Sequence, residues 1–99
     1  LQGAAISSVR IKGVLHEFST IPGVREDVTD IVLNLKEVRI KLHDGLLESA
    51  RIEAKGEGVV KAGDIQAGPN VEILNPDLVL ATLSKEGKID ADLTIKTGR

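Results

Sequence analysis

Ninety-nine residues, with thirteen basic and fifteen acidic side chains and a net charge of −2, suit one small domain and argue against a dedicated nucleic-acid surface, which would show clustered positive charge. There is no Cys, so disulfides and thiolate metal sites are excluded, and no run approaches the ~18 apolar residues of a membrane span. Phe18 is the lone aromatic, so the core has to be built from Ile, Val, Leu and Ala.

Near the start of the chain, Val9 and Ile11 alternate with Arg10 and Lys12, as in a strand with one wet face. Residues 13–24 hold the Phe, one of the two His and one of the three Pro. Val24, Val28, Ile31, Val32 and Leu35 then fall at i, i+4, i+7, i+8 and i+11, a single stripe that predicts a helix over 25–36. Pro22-Gly23 sets its start, while Glu26 and Asp27 place negative charge at the positive end of its dipole and Lys36 places a cation at the other. Burial of that stripe is worth on the order of 10 kcal/mol gross at ~1.5–3 per side chain. Leu33 is apolar but off the stripe, which marks it as a candidate contact.

Alternating runs follow at 38–43, 50–55 and 88–96. Asp44-Gly45 reads as a hairpin loop between the first two, and Gly56-Glu57-Gly58 as a turn into a short strand within 59–62. Gly68-Pro69-Asn70 and Asn75-Pro76-Asp77 bracket a strand-like piece at 71–74. Residues 78–83 are almost uniformly apolar, hence buried or covered from outside the chain. Such clean alternation indicates antiparallel or mixed sheet with a solvated side. The expected fold class is α+β: a mixed or antiparallel sheet with one main helix packed on it, in a single domain over 1–99.

Chemistry is hard to place on this chain. His16 and Glu17 are adjacent, so on a strand they point to opposite faces and share no proton, and with His43 they make no zinc spacing. The serines, among them Ser19, lie in no nucleophile context. Gly56-Glu57-Gly58 has the glycines of a phosphate loop but an internal Glu and no following helix. Asp90 and Asp92 share a face with Lys88 and Lys96, as on a solvated surface. No catalytic residue, metal site or cofactor is expected. Phe18 has two readings, a core anchor or a partner-facing hot spot beside a loop built from Ser19, Thr20, Ile21 and Pro22.

Residues 13–24, GVLHEFSTIPGV, resemble the signature segment of the bacterial RNA polymerase α-subunit family, within the domain inserted into its N-terminal dimerisation fold. The similarity extends along the chain. LQGAAI at 1–6 is similar to the start of that inserted domain, DVTDIVLNLK at 27–36 fits D-x-x-x-I-x-L-N-L-K, and VEILNPDL at 71–78, continued by Ala81-Thr82-Leu83, is similar to a second signature. Thr97-Gly98-Arg99 is similar to the return into the dimerisation fold, and departures concentrate between Leu46 and Gln66 and after Leu83. A chain that begins at Leu1 and has no Met then reads as a piece of a longer polypeptide.

The resemblance implies an assembly module that docks on the β subunit, with β′ and the second α subunit reached through the parent protein and no direct nucleic-acid or membrane contact. Catalysis would belong to β′, and the location would be the bacterial cytoplasm. His16, Glu17, Phe18, Ser19, Thr20, Ile21, Pro22, Asn75 and Pro76 are the implied β-binding residues. It also implies a β-α-β unit of the rare left hand, against general statistics. The rival class is a stand-alone small-ligand or nucleic-acid-binding domain, which the charge balance and the lack of stacking aromatics disfavour.

Overall fold

The computed structural model describes residues 2–12 and 21–97. Alternation organises it, most clearly in β8 (Lys88–Thr97), where Ile89, Ala91, Leu93, Ile95 and Thr97 are buried while Lys88, Asp92 and Lys96 face solvent. On one side β8 pairs with β1 (Gln2–Ile11) and on the other with β3 (Leu47–Lys55), both antiparallel. Beyond β1 lie β2 (Ile40–Leu42) and then β6 (Val71–Ile73), and beyond β3 lies β5 (Gln66–Ala67). The order is β5-β3-β8-β1-β2-β6, and the sheet curls into a nearly closed, barrel-like form. A separate antiparallel ribbon joins β4 (Gly58–Lys61) to β7 (Val79–Leu83).

The core is aliphatic throughout. Ile6 and Ile11 of β1, Ile40 and Leu42 of β2, Ile52 of β3 and the inward row of β8 meet Leu80, Ala81 and Leu83 of β7. The helix α1 (Val28–Lys36) adds Val28, Ile31 and Leu35, and it packs against β1 and β7.

The expected α+β arrangement of one main helix on a sheet is therefore corrected. This is an antiparallel β fold whose nearly closed sheet carries most of the core, and its helix is a nine-residue element seated on two strands. The helix is shorter than 25–36 because its would-be first turn is claimed by β7. Val24 forms a β-bridge with Leu83, and the Arg25 N–H donates to the Thr82 carbonyl at 2.9 Å. Asp27 becomes the N-cap and accepts from the Asp30 N–H at 2.9 Å. The left-handed β-α-β unit does not arise among the described residues either. The strands that α1 connects, β1 and β2, are antiparallel neighbours with Gln2 opposite Leu42, so there is no parallel crossover to carry a hand.

One turn assignment also changes. Asp44-Gly45 does turn, with Gly45 at φ +82°, but β2 and β3 are separated in the sheet by β8 and β1, so it is no hairpin. Gly56-Glu57-Gly58 leads into a short strand as expected, β4, and its partner is β7. A local turn signal specifies a positive φ; it does not specify which strands will pair.

The solvent face of β3, β8 and β1 is laced by charge. Both carboxylate oxygens of Asp90 accept from one Arg51 amino nitrogen, at 3.0 and 3.2 Å, and the Lys12 ammonium lies 3.4 Å away. The Arg51 hydrogen bond holds the Asp90 carboxyl below its ordinary 3.8. A depressed folded value means that this group stabilises the fold above the unfolded pKa, and that the contribution is lost as pH falls through the folded one. Asp90→Asn is therefore expected to flatten the fall in urea midpoint below about pH 4. An unchanged acid limb would show that the pair contributes nothing.

Candidate functional site

The residues singled out by sequence fall in three places. His16, Glu17, Phe18, Ser19 and Thr20 lie outside the described residues. Ile21 and Pro22 open the described segment that follows, Ile21 half-buried against the core and Pro22 exposed. That segment is fastened to the β7–β8 region residue by residue. The Val24 N–H closes a turn on the Ile21 carbonyl at 3.0 Å, and the Gly23 carbonyl accepts from the Ser84 N–H at 2.8 Å. The Glu26 carboxylate accepts from the Thr82 N–H at 2.7 Å and from its hydroxyl at 3.1 Å. Gly23 sits at φ +77° with its backbone against Gly87, so close that an added Cβ would lie 2.5 Å from the Gly87 Cα. Beside it is an open, mostly apolar hollow of about 330 Å³, lined by Gly23, Val24, Arg25, Thr82, Leu83 and Ser84.

Asn75 and Pro76 are elsewhere, at the C-terminal end of α1. The Asn75 Nδ2 donates to the Glu37 carbonyl at 3.0 Å, and its Oδ1 accepts from the Arg39 N–H at 2.8 Å. The Leu74 N–H reinforces this clasp by donating to the Arg39 carbonyl at 2.8 Å. Pro76 is exposed, and its carbonyl accepts from the Gly63 N–H at 2.9 Å. The amide of Asn75 is thus engaged within the chain, tying the β6–β7 connection to the junction of α1 and β2. Asn75→Ala is expected to cost about 1–2 kcal/mol of stability, since both bonds go to backbone groups near solvent. A urea melt within error of the parent would mean that water replaces the clasp without loss.

The structure does not gather Ile21, Pro22, Asn75 and Pro76, the described ones, into one cluster. Ile21 and Pro22 precede α1, Asn75 grips its end, and nine helical residues, about 13 Å of rise, lie between. What spans the interval is α1 itself, with Leu33 56% exposed, and Leu74 beyond it 43% exposed. Leu33 is legible in sequence as the apolar residue off the stripe. Leu74 is missed by that reading, although it breaks the alternation of β6 by standing on the outward phase of Glu72. Neither end offers chemistry. Among the described residues no three of His, Cys, Asp or Glu come together as a metal-binding group. His43 pairs with Glu72 at 3.0 Å on exposed strand ends.

Comparison with known families decides the kinship. The family described as RNA polymerase Rpb3/RpoA insert domain matches residues 9–99. The chain belongs to that family. It is 60% identical over all 99 residues to the DNA-directed RNA polymerase subunit alpha of Geobacter metallireducens, covering 29% of that protein. It is 57% identical, again over its full length, to the proteins of the same name from Desulfitobacterium hafniense and Symbiobacterium thermophilum, covering 31% of each. This insert-domain chain therefore spans about 30% of the length of the curated relatives it matches. Both signature segments of the sequence fall within the matched region, and the Gly23 and Asn75 geometries are what those segments build in this chain.

Proposed function

We propose that this chain is a non-catalytic assembly module of bacterial DNA-directed RNA polymerase, the insert domain of an α subunit, and that it docks on the β subunit. In this reading β′ and the second α subunit are engaged through the rest of the parent protein, and no nucleic acid is bound directly. The chain works in the cytoplasm with the polymerase, as a single domain over 1–99. The observation that carries the reading is full-length similarity to proteins named as the α subunit, at 56–60% identity. The near-neutral charge and the absence of any clustered metal-binding group among the described residues fit a protein-docking role better than a ligand-binding one.

The docking surface runs along α1. His16, Glu17, Phe18, Ser19, Thr20, Ile21 and Pro22 lead into the helix, Leu33 is its exposed apolar residue, and Leu74, Asn75 and Pro76 lie past its end. Asn75 contributes by shaping that end, since its amide already serves Glu37 and Arg39. A few central anchors, aromatic ones above all, carry most of the energy at protein interfaces.

The test is binding of β by a full-length α subunit carrying this sequence, at physiological salt. Leu33→Asp is expected to leave melting unchanged and to weaken β binding by roughly 2 kcal/mol or more, and Phe18→Ala to weaken it similarly. A parent protein that is folded yet does not bind β would overturn the reading. If Phe18→Ala unfolds the domain instead, Phe18 belongs to the core and leaves the interface.

A further inference from the structure

The solvent face of β3, β8 and β1 changes character along its length. Toward one end the cross-strand neighbours are charges, with Glu53 opposite Asp90, Arg51 opposite Asp92 and Asp92 opposite Arg10. The next row is small and polar, Ser49, Thr94 and Ser8. The last row is Leu47, Lys96 and Ala5, with Leu46 on the rim, where its carbonyl accepts the Thr97 N–H at 3.0 Å. Leu46 and Leu47 are 69% and 63% exposed, above every other large apolar side chain among the described residues. An antiparallel sheet with one solvated face has no internal use for leucines there.

The same end of the sheet is where the described chain begins and stops. Ala4 lies opposite Thr97 on the neighbouring strand, so Gln2 lies only two residues past the level of Thr97. The relatives carry about three times as much chain, and the whole of this sequence is matched within them. Chain of that kind on either side of this one would be tethered within a few residues of Leu46 and Leu47. Tethering raises effective concentration to the order of millimolar, so a contact too small to hold a separate protein suffices.

We infer that the apolar end of this sheet, centred on Leu46 and Leu47, packs against the flanking domain of the same α-subunit polypeptide and fixes how the insert domain is oriented on it. The inference rests on the α-subunit reading. Contacts between domains of one chain have the modest size that such a patch offers. The ion-paired end of the same face, around Arg51 and Asp90, stays in solvent.

Cysteine accessibility in the full-length α subunit tests this, with Leu46→Cys, Leu47→Cys and, at the opposite end of the sheet, Lys88→Cys, each in a background free of other reactive cysteines. The three positions are exposed in this domain, so the substitutions leave its fold intact. Maleimide labelling of α alone is expected to be about tenfold slower at 46 and 47 than at 88, because labelling then waits on opening of the contact. Equal rates in an α subunit that still binds β would overturn the inference and leave the assembly reading standing. Protection that appears only when β is added, or that vanishes on dilution of the α dimer, would assign the patch to another subunit and also overturn it. Failure to bind β, with protection at 46 and 47 intact, would count against the assembly reading alone.

Discussion

Gly23→Ala is expected to destabilise the domain by about 2–5 kcal/mol, roughly 1–2 from forcing a side chain into positive φ and another 1–3 from steric overlap. The overlap is with backbone. An added Cβ would meet the Gly87 Cα at 2.5 Å, and Gly87 cannot yield, since it is itself buried between Gly23 and Leu83. Any retreat of Gly23 would also break the hydrogen bond from Ser84 and loosen the Val24–Leu83 bridge. Gly45→Ala is the control. Gly45 has a similar φ of +82° with open space around it, so only the conformational cost applies, about 1–2 kcal/mol. Urea denaturation of the two variants separates the terms. Equal losses would mean that the close approach of the two loops contributes nothing, and that the segment before α1 is held by its hydrogen bonds alone. Under the assembly reading, Gly23→Ala is also expected to weaken β binding, because it disturbs the backbone that Ile21 and Pro22 join.

Leu35→Ala is expected to cost about 3 kcal/mol, and Leu33→Ala no more than about 0.5. The two residues are identical in type and two positions apart on one nine-residue helix. Leu35 is fully buried, and α1 contributes it to the same core as the inward rows of the sheet. Its removal leaves a cavity beneath a short helix that is otherwise held to the core by Val28 and Ile31. Leu33 points away, 56% exposed, and loses only surface contact. Calorimetric melting of both variants checks the difference. Comparable costs would mean that the exposed side of α1 is covered within the chain, which would remove Leu33 from the docking surface.

The contrast between these leucines shows how far sequence reaches. A 3.6-residue stripe separates Leu35 from Leu33 without any structure, because the periodicity of a helix is a local property. The 2-residue period does the same for β8, where each apolar residue from Ile89 to Ile95 is buried. Family kinship is legible in the same way, since GVLHEFSTIPGV and DVTDIVLNLK stand in the chain as written. The start of the helix is not legible. Val24 has the right phase for the stripe, but phase says nothing of Thr82, fifty-six residues from Glu26, which takes that carboxylate for a strand contact. Asn75 is another such case. Its place in a signature says nothing of Glu37 and Arg39, the distant backbone groups that its amide clasps.

By itself, then, the sequence determined the apolar faces, the turn positions, the aliphatic core and the family. Tertiary structure alone decided which strands pair, that the sheet curls nearly closed instead of lying under a long helix, and that both ends of the described chain meet beside Leu46 and Leu47. The physical reason is separation along the chain. Alternation and turn chemistry are settled within a few neighbouring residues, whereas pairing β1 with β8 joins residues some ninety positions apart, and no local pattern encodes that choice.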